Sequence, residues 1–89
     1  MKTSHFSISG LVQGVGYRAW LHRKAELLGV SGWCKNREDG SVEVVVTGEQ
    51  EKVDALLMAV QKGPSGASVK SVSLLEKVPD EVGPFRVEY

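Results

Sequence analysis

Hydrophobic positions along the chain change their spacing several times, and each spacing predicts an element. From His5 to Val12 apolar and polar residues alternate, which is typical of a strand with one buried face. After Gln13-Gly14-Val15-Gly16, apolar residues recur at helical spacing as Tyr17, Leu21, Ala25 and Leu28. Gly29 follows where a left-handed residue ends a helix. The pattern predicts a strand, a glycine loop and a helix in immediate succession.

The middle of the chain predicts a hairpin and a second helix. Trp33 to Asn36 and Ser41 to Val46 flank Arg37-Glu38-Asp39-Gly40, whose Asp-Gly pair suits the positive backbone angles of a tight reversal. Thr47 and Gln50 have the spacing of a capping box at a helix N-terminus. Apolar residues then recur at helical spacing as Val53, Leu56, Leu57 and Val60. Gly63-Pro64 ends this helix.

Two further strands are predicted near the end of the chain. Val69 to Val78 contains alternating apolar residues, and the alternation resumes at Phe85 after the breaker stretch Pro79 to Pro84. The order strand, helix, strand, strand, helix, strand predicts an α+β fold, the ferredoxin-like split βαβ sandwich. We expect one domain over residues 1–89, with an antiparallel sheet, two helices on one face and a short C-terminal strand.

Composition limits the classes of function. Eleven Lys plus Arg balance eleven Asp plus Glu, so no overall field favours nucleic acid or an anionic membrane. No stretch resembles a secretory signal or is long enough to cross a bilayer. Cys34 is the only cysteine, which excludes an intrachain disulfide and a Cys/His metal cluster. We expect a cytoplasmic monomer with no cofactor, metal, nucleic-acid partner or membrane partner.

The loop between the first strand and the first helix is a candidate anion site. Its glycines allow several backbone N–H groups to converge on one point, and the helix N-terminus adds further donors. Arg18 adds a permanent cation with a planar set of donors that suits phosphate oxygens. The candidate phosphate-binding residues are Gln13, Gly14, Val15, Gly16, Tyr17 and Arg18. The same spacing is equally compatible with a plain tight turn followed by a solvated arginine.

Two better-known glycine motifs do not fit this loop. Gly14-x-Gly16-x-x-Ala19 imitates the dinucleotide-binding fingerprint, but the chain is too short for the doubly wound fold. The second predicted strand also returns through a hairpin, where that fold needs another crossover helix. A P-loop is excluded because the chain contains no Gly-Lys-Ser or Gly-Lys-Thr.

Asn36 ends the second predicted strand just before the hairpin turn. Its amide can donate and accept, which suits a residue that orients water, although asparagine beside a turn more commonly bonds local backbone. Cys34 lacks an arginine six residues later, where Gly40 stands, so a cysteine-phosphatase loop is excluded and a buried, inert thiol is expected. His5 and His22 each stand alone, and neither is a candidate base.

Two segments of the chain resemble the signatures of the acylphosphatase family. Gly10 to Arg18 reads Gly-Leu-Val-Gln-Gly-Val-Gly-Tyr-Arg, which is similar to the first signature at every defined position. Gly32 to Asn36 reads Gly-Trp-Cys-Lys-Asn and, with the glycines and valine that follow, resembles the second signature. Gly63-Pro64 and the closing Phe85 to Tyr89 also look like this family, so the resemblance covers essentially the whole chain.

The resemblance implies hydrolysis of the carboxyl-phosphate bond of a small acyl phosphate, giving a carboxylate and inorganic phosphate. It further implies that Arg18 binds the phosphoryl group and Asn36 holds the attacking water, with no metal and with phosphate as a competitive inhibitor. Phosphoryl transfer needs mainly positioning and charge stabilisation, so this small set of residues suffices. The rival from another class is a ferredoxin-like module that binds an anion without turnover.

Overall fold

The computed structural model describes residues 1–89, which form two helices and five strands. In chain order the elements are β1 (Lys2–Leu11), α1 (Tyr17–Leu28), β2 (Ser31–Asn36), β3 (Val42–Gly48), α2 (Gln50–Lys62), β4 (Ser68–Leu74) and β5 (Arg86–Val87). The predicted order of elements is therefore confirmed. Gly29 has φ 72° and ends α1 in the left-handed conformation that the sequence predicts.

The strands form one sheet in the order β4-β1-β3-β2-β5. The first four are antiparallel to their neighbours, as predicted. The short β5 instead runs parallel to β2, with Trp33 opposite Arg86 and Cys34 opposite Val87. The sheet is therefore mixed, and the fold is the α+β ferredoxin-like sandwich with a parallel C-terminal strand added beside β2.

One face of the sheet packs against both helices and forms the core. The fully buried side chains of β1 and β3, such as Phe6, Ile8 and Val44, meet Leu21 of α1 and Leu56 of α2 in a single cluster. Burial of this apolar surface is the main favourable contribution to folding. Because α1 packs on β2 and β5, the N-terminus of α1 and the ends of these strands share one edge of the domain.

The opposite face of the sheet is partly covered by the segment between β4 and β5. His5 donates from Nδ1 to the carbonyl oxygen of Glu76 at 2.8 Å, and the Glu81 N–H donates to Thr47 Oγ1 at 2.9 Å. Val45, which faces this side, is only 1 % exposed. The strand predicted over Val69 to Val78 therefore ends at Leu74, because the chain leaves the sheet edge to cross this face.

Two local predictions are wrong. The residue before α2 is Glu49, and no side chain caps this helix, because the Thr47 hydroxyl lies within β3 and bonds Thr3 Oγ1 at 2.7 Å. In the hairpin only Gly40 has a positive φ, of 93°. Asp39 instead accepts hydrogen bonds from the N–H and Oγ of Ser41, which hold the pKa of its carboxyl below the usual value.

No helix is both long and apolar enough to cross a membrane.

Candidate active site

The loop from Gln13 to Gly16 presents free backbone donors at the N-terminus of α1. Gly14 and Gly16 both adopt left-handed conformations, with φ 75° and 77°. Gly16 is also the N-cap of α1 and provides no side-chain acceptor for the first helical turn. The backbone N–H groups from Gln13 to Ala19 donate no hydrogen bond within the protein. Unpaired N–H groups beside left-handed glycines at a helix N-terminus are the kind of arrangement that binds oxyanions.

Arg18 stands in the first turn of α1, beside these N–H groups. Its Nη1 donates to the carbonyl oxygen of Glu88 at 3.3 Å, and its guanidinium carbon lies 4.9 Å from the centroid of the Tyr89 ring. No carboxylate forms an ion pair with Arg18. The guanidinium therefore keeps its positive charge and its remaining donors for an anion, while the C-terminal segment holds its orientation.

Asn36 ends β2 and lines the same pocket as Arg18. Asparagine beside a turn commonly bonds the local backbone, but the Asn36 side chain forms no hydrogen bond to the adjacent turn. Its Oδ1 is buried and receives no hydrogen bond from the protein. A buried acceptor without a donor costs free energy unless a ligand or water supplies one. This oxygen is therefore the unpaired acceptor of the site.

The candidate loop, Arg18 and Asn36 meet in one pocket of about 320 Å³. The pocket is lined by Val12, Gln13, Gly14, Gly16, Tyr17, Arg18, Ala19, His22, Asn36, Val87 and Tyr89. Its volume falls at the small end of the range for small-molecule sites. Of the candidate phosphate-binding residues, only Val15 does not line it, because the Val15 side chain packs against the hydrophobic core. The described residues include no group of His, Cys, Asp and Glu that could hold a metal ion.

The Gln13 side chain bridges the two halves of the site. Its Nε2 donates to the carbonyl oxygens of Arg37 at 2.8 Å and Ser41 at 2.9 Å, at the two ends of the hairpin loop. Only the Gln13 backbone N–H is thus left to face an anion. The side chain instead fixes the glycine loop against the hairpin that begins directly after Asn36.

Tyr17 anchors the first turn of α1 to the end of α2. Its buried hydroxyl donates to the carbonyl oxygen of Val60 at 2.6 Å. The usual donor to that carbonyl would be the N–H four residues later, but this residue is Pro64, which has none. Burial raises the pKa of the Tyr17 hydroxyl, so it stays a proton donor across the physiological range.

Cys34 lies on β2 beneath the site and is fully buried. Burial raises the pKa of its thiol to about 12, although nearby Arg18 opposes part of this shift. A thiol with so high a pKa is protonated at neutral pH and is a poor nucleophile. The expectation of a buried thiol is confirmed, and the raised pKa supports the expectation that it is inert.

Besides the lining residues Val12 and Ala19, four residues that line or orient the site are not predicted from the sequence. Val87, the Glu88 carbonyl and Tyr89 come from the C-terminal segment, and His22 lies one turn beyond Arg18 on α1. The i, i+4 spacing of Arg18 and His22 was a usable signal, because such residues share a helix face. The C-terminal residues gave no local signal, because only the parallel pairing of β5 with β2 brings them to Arg18.

Comparison with known proteins is consistent with this geometry. A family model described as acylphosphatase matches residues 4–87. A curated acylphosphatase of Thiobacillus denitrificans is 53% identical over 76 residues, covering 85% of each chain. A crystal structure of an acylphosphatase from Bacillus subtilis superposes with TM-score 0.93 at 29% identity, covering 100% of both chains. One from Coxiella burnetii has TM-score 0.89 at 38% identity, covering 97% of this chain and 90% of that one.

Proposed function

Because this chain belongs to the acylphosphatase family, we propose that Arg18 and the loop N–H groups bind the phosphoryl group of its substrate while Asn36 positions water. The chain is an enzyme that hydrolyses acyl phosphates to a carboxylate and inorganic phosphate. Family membership therefore decides against the anion-binding module without turnover.

In this proposal the phosphoryl group lies in the glycine loop, where unpaired N–H groups of residues 13–18 and the Arg18 guanidinium donate to its oxygens. These donors are held before the substrate arrives, since the Gln13 side chain ties the loop to the hairpin and the Glu88 carbonyl accepts a hydrogen bond from Arg18. Preorganised donors stabilise the charge that the phosphoryl oxygens carry in the transition state, and no reorganisation is needed when it forms.

The buried, unpaired Oδ1 of Asn36 is the observation that carries the assignment of the water. An amide oxygen accepts a hydrogen bond from an O–H of water, which leaves the lone pairs of the water oxygen free to attack phosphorus. A guanidinium has no acceptor, so Arg18 cannot take this role. The two side chains therefore divide the work, with Arg18 on the anion and Asn36 on the nucleophile.

At phosphorus the reaction forms one bond and breaks one. The water oxygen bonds to phosphorus as the bond between phosphorus and the bridging oxygen breaks, and the carboxylate leaves with that electron pair. The proton lost by water passes to a phosphoryl oxygen of the substrate, so no side-chain base is required. We propose that charge stabilisation by Arg18 replaces a metal ion, and that a monomer acts in the cytoplasm on a small acyl phosphate.

The decisive experiment compares Asn36→Ala with Arg18→Ala. Asn36→Ala should lose about 100-fold or more in kcat toward benzoyl phosphate, the scale for loss of one preorganised group, but keep inorganic phosphate affinity within about three-fold. Arg18→Ala should weaken both, and Arg18→Lys should recover little, because an ammonium lacks the planar donor set. Arg23→Ala, on the exposed side of α1, is the matched control.

Calorimetry with inorganic phosphate separates the two roles. Equal losses of phosphate affinity in Asn36→Ala and Arg18→Ala would show that both residues simply bind the anion, and would contradict the assignment of Asn36 to the water.

Phosphate should inhibit wild-type turnover competitively, and a chelator should leave that turnover unchanged. Activity that returns only on addition of Mg²⁺ would contradict the metal-free mechanism.

A further inference from the structure

The pocket extends beyond the phosphate loop as a groove between α1 and β5. Arg18, Ala19 and His22 lie on the helix side, and Val87 lies on the strand side. Residues four apart on a helix share one face and are separated by about one pitch of 5.4 Å along the axis. With the phosphoryl group beside Arg18, His22 lies about one turn further along the groove.

His22 is a polar residue that the proposed mechanism does not use. Its Nδ1 is 3.9 Å from Glu26 Oε1, which exceeds hydrogen-bond distance, and neither ring nitrogen has a hydrogen-bond partner in the protein. The imidazole lies against the buried Phe85, with ring centroids 6.3 Å apart. The side chain is 37% exposed, so part of the ring is covered by the protein and part remains open to a ligand.

We propose that His22 is a specificity residue that favours acyl phosphates whose acyl group carries a second anionic group, such as a carboxylate. This inference rests on the proposed function, which places the phosphoryl group at Arg18. An acyl chain of three or four bonds spans about 5 Å, from bond lengths near 1.5 Å, and so reaches about one helical turn. The imidazole N–H then donates to that second anion, and its protonated form adds an attractive charge.

The charges around His22 set the strength of the effect. Arg18 lies one turn before it and adds a positive charge, whereas Glu26 lies one turn after it and opposes an anion. Ala19 between Arg18 and His22 has a small side chain, which leaves room for the acyl group in the groove. Since the site is partly exposed, we expect discrimination of about 3-fold to 10-fold, between the scales for exposed ion pairs and charge-assisted hydrogen bonds.

The test uses two substrates of nearly equal size, 3-carboxybenzoyl phosphate and 3-nitrobenzoyl phosphate, whose nitro group has the shape of a carboxylate without its net charge. The measured quantity is the ratio of their kcat/KM values, which cancels differences in intrinsic reactivity when wild type and variant are compared. His22→Leu should lower this ratio by about 3-fold to 10-fold, and His22→Gln, which keeps a donor without the charge, should fall in between. Glu26→Gln should raise the ratio, and the neighbouring Arg23→Gln should leave it unchanged.

Salt provides a second readout that a purely structural role would not change. The ratio for wild type should fall as ionic strength rises, and that for His22→Leu should respond less, because His22 no longer attracts the second anion. A ratio that is the same in wild type and His22→Leu would overturn the proposal, as would equal losses on both substrates. If wild type hydrolyses neither compound, the proposed function itself fails, which distinguishes the two outcomes.

Discussion

The bridge made by Gln13 offers the sharpest test of how the two halves of the site are aligned. Gln13→Ala removes the donors to the carbonyl oxygens of Arg37 and Ser41. Each such bond contributes about 1 kcal/mol, so the free energy of unfolding should fall by about 1 to 2 kcal/mol. Gln13→Glu has the same shape but turns an acceptor toward two carbonyls, so it should be at least as damaging.

Activity should fall in the same variants, because the hairpin that follows Asn36 is no longer tied to the phosphate loop. Misplacement of catalytic groups by about 1 Å costs up to about 100-fold, and a loosened loop should cost about 10-fold in kcat. Inorganic phosphate affinity should change by less than about three-fold, since the backbone N–H groups remain. The assay is benzoyl phosphate hydrolysis beside urea unfolding of the same preparations.

Gln61→Ala is the matched control, because Gln61 is exposed on α2 and its side chain makes no hydrogen bond. Loss of stability in Gln13→Ala with kcat within two-fold of wild type would show that the bridge only stabilises the loop. Unchanged stability and unchanged kcat together would refute the reasoning that these two bonds align the site.

Three further predictions concern the scaffold of the site. Tyr17→Phe leaves the buried Val60 carbonyl without a donor and should lower the free energy of unfolding by about 1 to 3 kcal/mol. Tyr89→Phe, at an exposed position, should change it by less than about 0.5 kcal/mol, and equal effects of the two variants in urea unfolding would contradict this prediction. Gly32→Ala places a Cβ 1.9 Å from the Val45 carbonyl oxygen, whereas the Cβ of Gly83→Ala meets no atom within 4 Å. In urea unfolding Gly32→Ala should therefore lower the free energy of unfolding by at least about 2 kcal/mol more than Gly83→Ala does. Equal losses of stability would contradict the close approach at Gly32. Burial raises the pKa of Cys34 from 9.0 to about 12, so the free energy of unfolding should fall as pH rises above about 9, because the unfolded chain releases a thiol proton that the folded chain keeps. Cys34→Ala should reduce the slope of this free energy against pH, to which one group contributes at most about 1.4 kcal/mol per pH unit. An unchanged slope in unfolding measured from pH 8 to 11 would contradict the assignment.

Local patterns in the sequence determined the elements and the residue types of the site. The apolar spacing of α1 and α2 predicts both helices because amphipathic helices of this length repeat their buried positions within a few residues. The left-handed conformations of Gly14 and Gly16 are likewise suggested by residue type, since glycine adopts φ near 75° at little cost. Both features depend on neighbours along the chain, so sequence alone was enough.

Tertiary structure decided how groups far apart in sequence are paired. Thr47 has the spacing of a capping residue, but its hydroxyl instead bonds Thr3 across the sheet, because β3 extends to Gly48. Arg18 is oriented by the carbonyl oxygen of Glu88, 70 residues further along the chain. The Gln13 side chain donates to the carbonyl oxygen of Ser41, 28 residues further along. Such contacts depend on the packing of the whole sheet, whose summed burial and hydrogen bonding outweigh the preference of any single residue for its local partner.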